Sequence, residues 1–276
     1  MSQESFPFSS KDGILLQGTF EFPAQPKAAV CIVHGYGDHQ GRYGDFRRYC
    51  KEQGLATLAF DYRGHGISAG RRASCSRWQD YLDDLTAFWQ QAQQRCQGLP
   101  LFLLGYSHGG LMASVFASQA PEDLKGIVLV SPFWKPGFRV ERWKRALLRC
   151  LNGLCPHMLL KTGVLLEQLS RDLAWQQATA ADVLASRLLT PRWFVETQRM
   201  QSTLAEVAVC VVSPCLLLIG KEDTVAAPAA MQLFFEKLKL KDKTVHCFEQ
   251  MRHELLCEQD RQEVFRYIFE WILSRL

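Results

Sequence analysis

The sequence predicts an α/β fold: a mostly parallel eight-stranded sheet flanked by helices, with a helical cap inserted ahead of the last strands. Three observations carry that expectation. Short runs rich in branched and aromatic residues alternate with longer segments of helical period, the pattern of strands joined by crossover helices. One Gly-x-Ser-x-Gly sequence stands where such a run gives way to a helical one, the strand–turn–helix setting that motif requires. The stretch from Pro136 to Ala205 shows no convincing strand and is too long for a plain crossover.

Taken in order, Gly13 to Phe22 reads as an early antiparallel strand. Ala28 to Val33, Ala56 to Phe60, Leu101 to Leu104, Gly126 to Val130, Leu216 to Ile219 and Lys243 to Phe248 follow as strands. Helices are expected over Tyr43 to Gln53, Trp78 to Cys96, His108 to Gln119, Pro228 to Leu238 and Glu263 to Leu276. The division that results is a core of residues 1–135 and 206–276 around a cap of residues 136–205, with cap helices over Arg139 to Leu154 and Arg187 to Leu204. Ligands of such sheets bind beyond the carboxyl ends of the strands, so the cap would roof the site.

With 276 residues, 47% hydrophobic and 22% charged, the composition is that of an ordinary globular enzyme. Met1-Ser2-Gln3-Glu4-Ser5 has no basic start leading into an apolar run, and no apolar stretch reaches the roughly 18 residues of a membrane-spanning helix. A cytoplasmic chain is expected, monomer or homodimer. Ten cysteines without a CxxC pair read as reduced thiols, with Cys31, Cys215 and Cys247 inside apolar strand runs.

Charge separates the cap from the core. It holds ten Lys or Arg against five Asp or Glu, while the whole chain is only +4. Its Arg139–Arg149 helix combines Arg139, Arg142, Lys144, Arg145 and Arg149 with Phe138, Val140, Trp143, Ala146, Leu147 and Leu148. That pattern suits peripheral contact with an anionic lipid surface, and equally a solvated basic face over a packed apolar one. No nucleic-acid motif accompanies the modest basic excess. No cofactor is implied, and His34 and His39 lack partners at metal-ligand spacing.

The chemistry centres on Gly105-Tyr106-Ser107-His108-Gly109-Gly110. A turn that tight projects the serine into the site and leaves room only for hydrogen on either side. A serine hydroxyl needs a base to take its proton and donors to hold the oxyanion that forms. With the order Ser, acid, His, the base must be His246 or His253. His246 sits inside the last strand and reads as structural; His253 lies in the loop beyond it and can reach the site. The acid follows the preceding strand in Gly220-Lys221-Glu222-Asp223, where Asp223 is favoured and Glu222 is the weaker alternative. The amides of His108 and of Tyr36, in the loop after the early parallel strand, are the expected oxyanion donors. Tyr36, Tyr106, Phe133 and Trp134 are candidates for the wall of an apolar tunnel.

Together His34-Gly35-Tyr36-Gly37-Asp38-His39, Gly41-Arg42-Tyr43, Asp61-Tyr62-Arg63-Gly64-His65-Gly66, the Ser107 elbow, Gly220-Lys221-Glu222-Asp223 and His253-Glu254-Leu255-Leu256 resemble the monoacylglycerol lipase and lysophospholipase family of α/β hydrolases. The resemblance runs from about residue 10 to 275 and is weak only across the cap. It implies the α/β-hydrolase fold, Ser107, Asp223 and His253 as the triad, and cleavage of lipid-like esters through an acyl-enzyme on Ser107. It also implies Asp38 and Arg42 near the substrate's polar end, and Asp61 with Arg63 as a fold-supporting pair. The chain departs from the family in carrying His108 where Met is common, Asp38 for Glu, and Leu256 where a polar side chain can face glycerol. A thioesterase, amidase or acyltransferase using the same triad, or a catalytically silent binding protein, remains the alternative.

Overall fold

The computed structural model describes residues 4–276; Met1, Ser2 and Gln3, part of the segment read above for a leader, lie outside them. In chain order the elements begin with strands β1 (Glu4–Ser9), β2 (Leu15–Glu21) and β3 (Ala28–Val33), helix α1 (Gly44–Glu52) and strand β4 (Leu55–Asp61). Helix α2 (Gln79–Arg95), strand β5 (Leu101–Tyr106), helix α3 (His108–Ala117) and strand β6 (Leu124–Val130) follow. The inserted segment contains α4 (Arg142–Leu154), β7 (Leu160–Lys161), α5 (Leu166–Leu169), α6 (Leu173–Ala181), β8 (Leu188–Leu189) and α7 (Pro191–Ser202). The chain closes with α8 (Leu204–Cys210), β9 (Cys215–Gly220), α9 (Pro228–Lys237), β10 (Lys243–Phe248) and α10 (Arg261–Leu273).

Eight strands form one sheet in the order β1-β2-β4-β3-β5-β6-β9-β10. β1 and β2 run antiparallel, and the six from β4 to β10 run parallel. Residues alternate between two apolar layers, as the two-residue pleat requires. Cys31, Val33, Leu103 and Leu217 pack under α2, α3, α8 and α9, while Val30, Ile32, Leu104 and Leu218 face Phe46 of α1 and Phe265 and Trp271 of α10. Burial on both faces is why β3 reads as the unbroken apolar run Ala-Ala-Val-Cys-Ile-Val.

The register sets the site. Val33 pairs with Gly105, Tyr106 with Val130, Val130 with Leu218, and Gly220 with Phe248. Five loops therefore leave the carboxyl edge at nearly one level. Strand order reverses about β3, whose neighbours are β4 and β5, and a crevice opens at such a reversal.

Several expectations are corrected. β1 had no strand reading because Pro7 interrupts it. Phe6 and Phe8 nonetheless point inward, and Pro7 is tolerated because β1 is the edge strand. The inserted segment does contain strand, a two-residue antiparallel pair joining Leu160 to Leu189. Its first helix starts at Arg142, three residues after the expected start, and its last at Pro191, where the Thr190 hydroxyl caps the amide of Trp193 and Pro191 occupies the first turn. Asp61 and Arg63 do not pair with each other. Asp61 accepts from the amides of Gln40 and Ile67 at 2.8 and 3.0 Å. Arg63 holds Asp84 through two bonds of 2.8 and 2.7 Å and Asp12 at 2.7 Å.

Asp84 is wholly buried, and burial raises its pKa even though Arg63 pulls the other way. Removing Asp84 takes away two of the bonds that hold the buried Arg63 guanidinium and leaves the half-exposed Asp12 as its nearest carboxylate. Asp84→Ala is expected to destabilise the fold by about 3–5 kcal/mol in urea denaturation, and a loss under about 1 kcal/mol would show the pair to be solvated.

Candidate active site

Ser107 sits at φ 52° and ψ −115° between β5 and α3, a left-handed conformation costly for any residue with a side chain. Three backbone bonds hold it there: Ser107 N–H donates to Val130 O, and Ser107 O accepts from Leu111 and Phe133. A side chain at Gly105 would meet Gly109 O and Ala113 Cβ, and one at Gly109 would meet the carbonyl oxygens of Val33 and His34. Both glycines are thus demanded by backbone packing.

His253 reaches Ser107 from the loop after β10. Its Nε2 lies 2.9 Å from Ser107 Oγ and its Nδ1 lies 2.7 Å from Asp223 Oδ2. A carboxylate only accepts, so Nδ1 carries the proton and Nε2 is free to receive one from the hydroxyl. Asp223 is held in turn: its Oδ1 accepts from the amides of Val225 and Ala226, each at 2.8 Å. Burial disfavours the imidazolium, but the charge of Asp223 and the bond to it more than compensate, so the His253 pKa is raised. Glu222 is half exposed, 4.0 Å from Arg252. His246 stays in β10 against the rings of Phe248 and Tyr267.

The amide N–H groups of Tyr36 and His108 donate to no other described group, and both residues border the cavity above Ser107. That cavity measures about 650 Å³. Tyr36, Asp38, Arg42, Tyr106 and Phe133 line it with Val140, Leu148, Trp193 and Phe194. Trp134 does not. Its ring stacks on Phe234 at 3.8 Å and its indole N–H donates to Ser114, so it belongs to the core. Leu256 is buried in the other apolar layer and makes no part of the wall.

A polar corner adjoins the triad. Arg42 Nε lies 2.7 Å from Asp38, Tyr43 O–H donates to Asp38 at 2.9 Å, and Tyr106 O–H donates to Glu254 at 2.6 Å. Burial and the nearby Asp38 push the Glu254 pKa up to about 7, against the opposing pull of Arg42 and Tyr106. Sequence reasoning did not single out Glu254 or Trp193. The first had a signal in its place beside the base histidine, whereas the second shows only as an aromatic in an amphipathic helix.

The family model described as serine aminopeptidase S33 matches residues 24–260. The chain belongs to this family. Human monoglyceride lipase is 30% identical to this S33 hydrolase over 254 residues, covering 91% of this chain and 84% of that one. An uncharacterized abhydrolase domain-containing protein of Dictyostelium discoideum is 29% identical over 97% of this chain, which spans only 28% of its length. The crystal structure of Paleococcus ferrophilus monoacylglycerol lipase superposes with a TM-score of 0.82 at 27% identity, covering all of both chains. The expected kinship and the α/β-hydrolase fold are thereby met, and by class this S33 hydrolase is a carboxylic ester hydrolase.

The electrostatics make a prediction. His253 should titrate above the ordinary histidine value of about 6.5 when followed by NMR. In Asp223→Asn burial is left to dominate, so the midpoint should fall; a midpoint indifferent to that substitution would refute the electrostatic account.

Proposed function

We propose that the chain hydrolyses lipid-like carboxylic esters, a monoacylglycerol or a lysophospholipid, through an acyl-enzyme on Ser107. The observation that supports this reading most is the imidazole of His253 lying between the Asp223 carboxylate and the Ser107 hydroxyl. Ser107 Oγ attacks the acyl carbonyl carbon while His253 Nε2 takes its proton. The charged oxygen is received by the Tyr36 and His108 amides, the second aided by the N-terminus of α3. His253 passes the proton to the alcohol as the acyl–oxygen bond breaks. Water then attacks the acyl-enzyme, giving its proton to His253, which returns it to Ser107 as the free acid leaves.

Residues 136–205 act as the cap. The cavity's apolar wall receives the acyl chain, and Asp38, Arg42 and Tyr106 face the leaving alcohol. Substrate enters from a lipid surface on which α4 rests. No residue of α4 is buried, and Trp143 is 62% exposed beside four cations of the same helix. Trp143 and Leu147 also border the cavity, so the same face meets solvent and substrate channel. All ten cysteines are free thiols, in keeping with a reducing cytoplasm, and among the described residues no helix is long and apolar enough to cross a membrane.

Two measurements test this. Ser107→Ala should lower release of acid from a short p-nitrophenyl ester, and from monoacylglycerols and lysophosphatidylcholines of varied chain length, by at least about 10³-fold. Turnover within about tenfold of the parent would remove Ser107 as nucleophile, and preference for thioester or amide substrates would move the reading to those classes. Replacing both Trp143 and Leu147 with Ala should cut cosedimentation with anionic phosphatidylserine vesicles several-fold. Equal cosedimentation of variant and parent would sink the membrane contact.

A further inference from the structure

Two side chains converge on the peptide group that precedes the Tyr36 amide. The Gly35 carbonyl accepts from the Tyr62 hydroxyl at 2.9 Å and lies 2.7 Å from Nδ1 of His34. Across a planar trans peptide the carbonyl and the following N–H point in opposite directions. Anchoring Gly35 O therefore aims the Tyr36 N–H. Tyr62 is fully buried, and its oxygen lies 3.4 Å from Nδ1 of His108. Nε2 of His108 in turn accepts the indole N–H of Trp193 at 3.3 Å.

An indole N–H can only donate and a carbonyl can only accept, so the two ends dictate every step between them. Trp193 donates to His108 Nε2, His108 Nδ1–H to Tyr62, and Tyr62 O–H to Gly35. Only neutral His108 completes the series, because an imidazolium would oppose one N–H to another. Burial, with His34 close by, keeps the His108 pKa down to about 3, so the neutral form holds across any working pH. Trp193 comes from α7 of the inserted segment, and its ring stacks on Tyr36 with centroids 3.9 Å apart. One residue of that segment thus touches both residues whose amides face the nucleophile.

We infer that Trp193, His108 and Tyr62 form a positioning relay that aligns the Tyr36 amide for the oxyanion and ties this alignment to the seating of α7. The inference rests on the triad reading above. None of the three side chains bonds to reacting atoms, and Tyr62 stands outside the cavity wall, so the loss in Tyr62→Phe should appear in kcat with KM nearly unchanged. The relay adds to the hold of His34 on the same carbonyl, so cutting it costs less than deleting an oxyanion donor, which is worth about 10²–10³ in rate.

Trp193→Phe keeps a ring against Tyr36 and removes the donor; Tyr62→Phe cuts the last bond. Each should lower kcat for a soluble ester by roughly 3- to 20-fold, with KM within about twofold for Tyr62→Phe and the melting temperature reporting any loss of fold. Because both act through one path, the double variant should have a kcat no lower than Tyr62→Phe alone, and Trp193→Phe should lower kcat no further in a His108→Met background. Losses in kcat that multiply, a Tyr62→Phe loss carried by KM, or single variants with unaltered kcat each overturn the relay. Ser107→Ala in the same assay separates the two readings: if it retains turnover the triad fails, and if it is silent while the losses multiply only the relay does.

Discussion

At Gly109 the first turn of α3 lies directly against the carbonyl oxygens of Val33 and His34, leaving no room for a Cβ. That contact brings the end of β5 and the end of β3 together, and those strands are already neighbours with Val33 opposite Gly105. The serine between them is forced into a positive φ, a cost of order 1–3 kcal/mol offset by its backbone bonds to Val130, Leu111 and Phe133. The same approach presents the His108 amide at a helix N-terminus and the Tyr36 amide from the facing loop. The Ser107 hydroxyl and the two amides are therefore one backbone arrangement, to which Asp223 and His253 are added from the loops after β9 and β10.

Charge in this arrangement is crowded. Asp38, Arg42, Asp223, His253 and Glu254 all border or adjoin one cavity, and uncompensated burial of any of them would cost several kcal/mol. The three carboxyl groups are treated differently. Asp223 receives two amides and an imidazole. Asp38 is shared between Arg42 and Tyr43. Glu254 has a phenol and a neighbouring carboxylate, and it responds by holding its proton up to about 7. Environment alone thus raises one carboxyl of the three toward neutrality, beside His253.

The sequence was most informative where a residue type has one physical use. β3 and β10 were legible to the residue, because continuous apolar or alternating runs bounded by turns admit no other reading. The meeting of Ser107, Asp223 and His253 was legible because the glycine spacing marks the elbow and strand order leaves two histidines to choose between. What was not legible depended on side-chain direction or on distant partners. Trp134 and Phe133 are adjacent and equally aromatic, yet one packs on Phe234 and the other faces the cavity. Arg63 finds Asp84 and Asp12 instead of the nearer Asp61, a choice made by tertiary packing. Edge strand β1 was hidden by a proline that only its edge position excuses.

The inserted segment is bound to the catalytic loops at separate points, and this bears on how substrate selection and rate are linked. Ser186 N–H donates to Gly37 O in the loop that carries the Tyr36 amide. Glu254 N–H donates to Leu169 O, and Arg252 reaches Glu167 O, both in the loop that carries His253. Arg171 and the Arg252 amide share the buried carboxylate of Glu258. Trp193 adds its indole bond to His108. A segment that only roofed the cavity could shift without consequence for the chemistry beneath it. This one contacts the Gly37 loop, the elbow helix and the His253 loop at once, so a shift of the segment must alter the geometry of all three. At Ser186, Leu169 and Glu167 the insertion bonds through its backbone, so these ties depend on its path more than on side-chain identity, whereas those of Trp193 and Arg171 depend on the side chain.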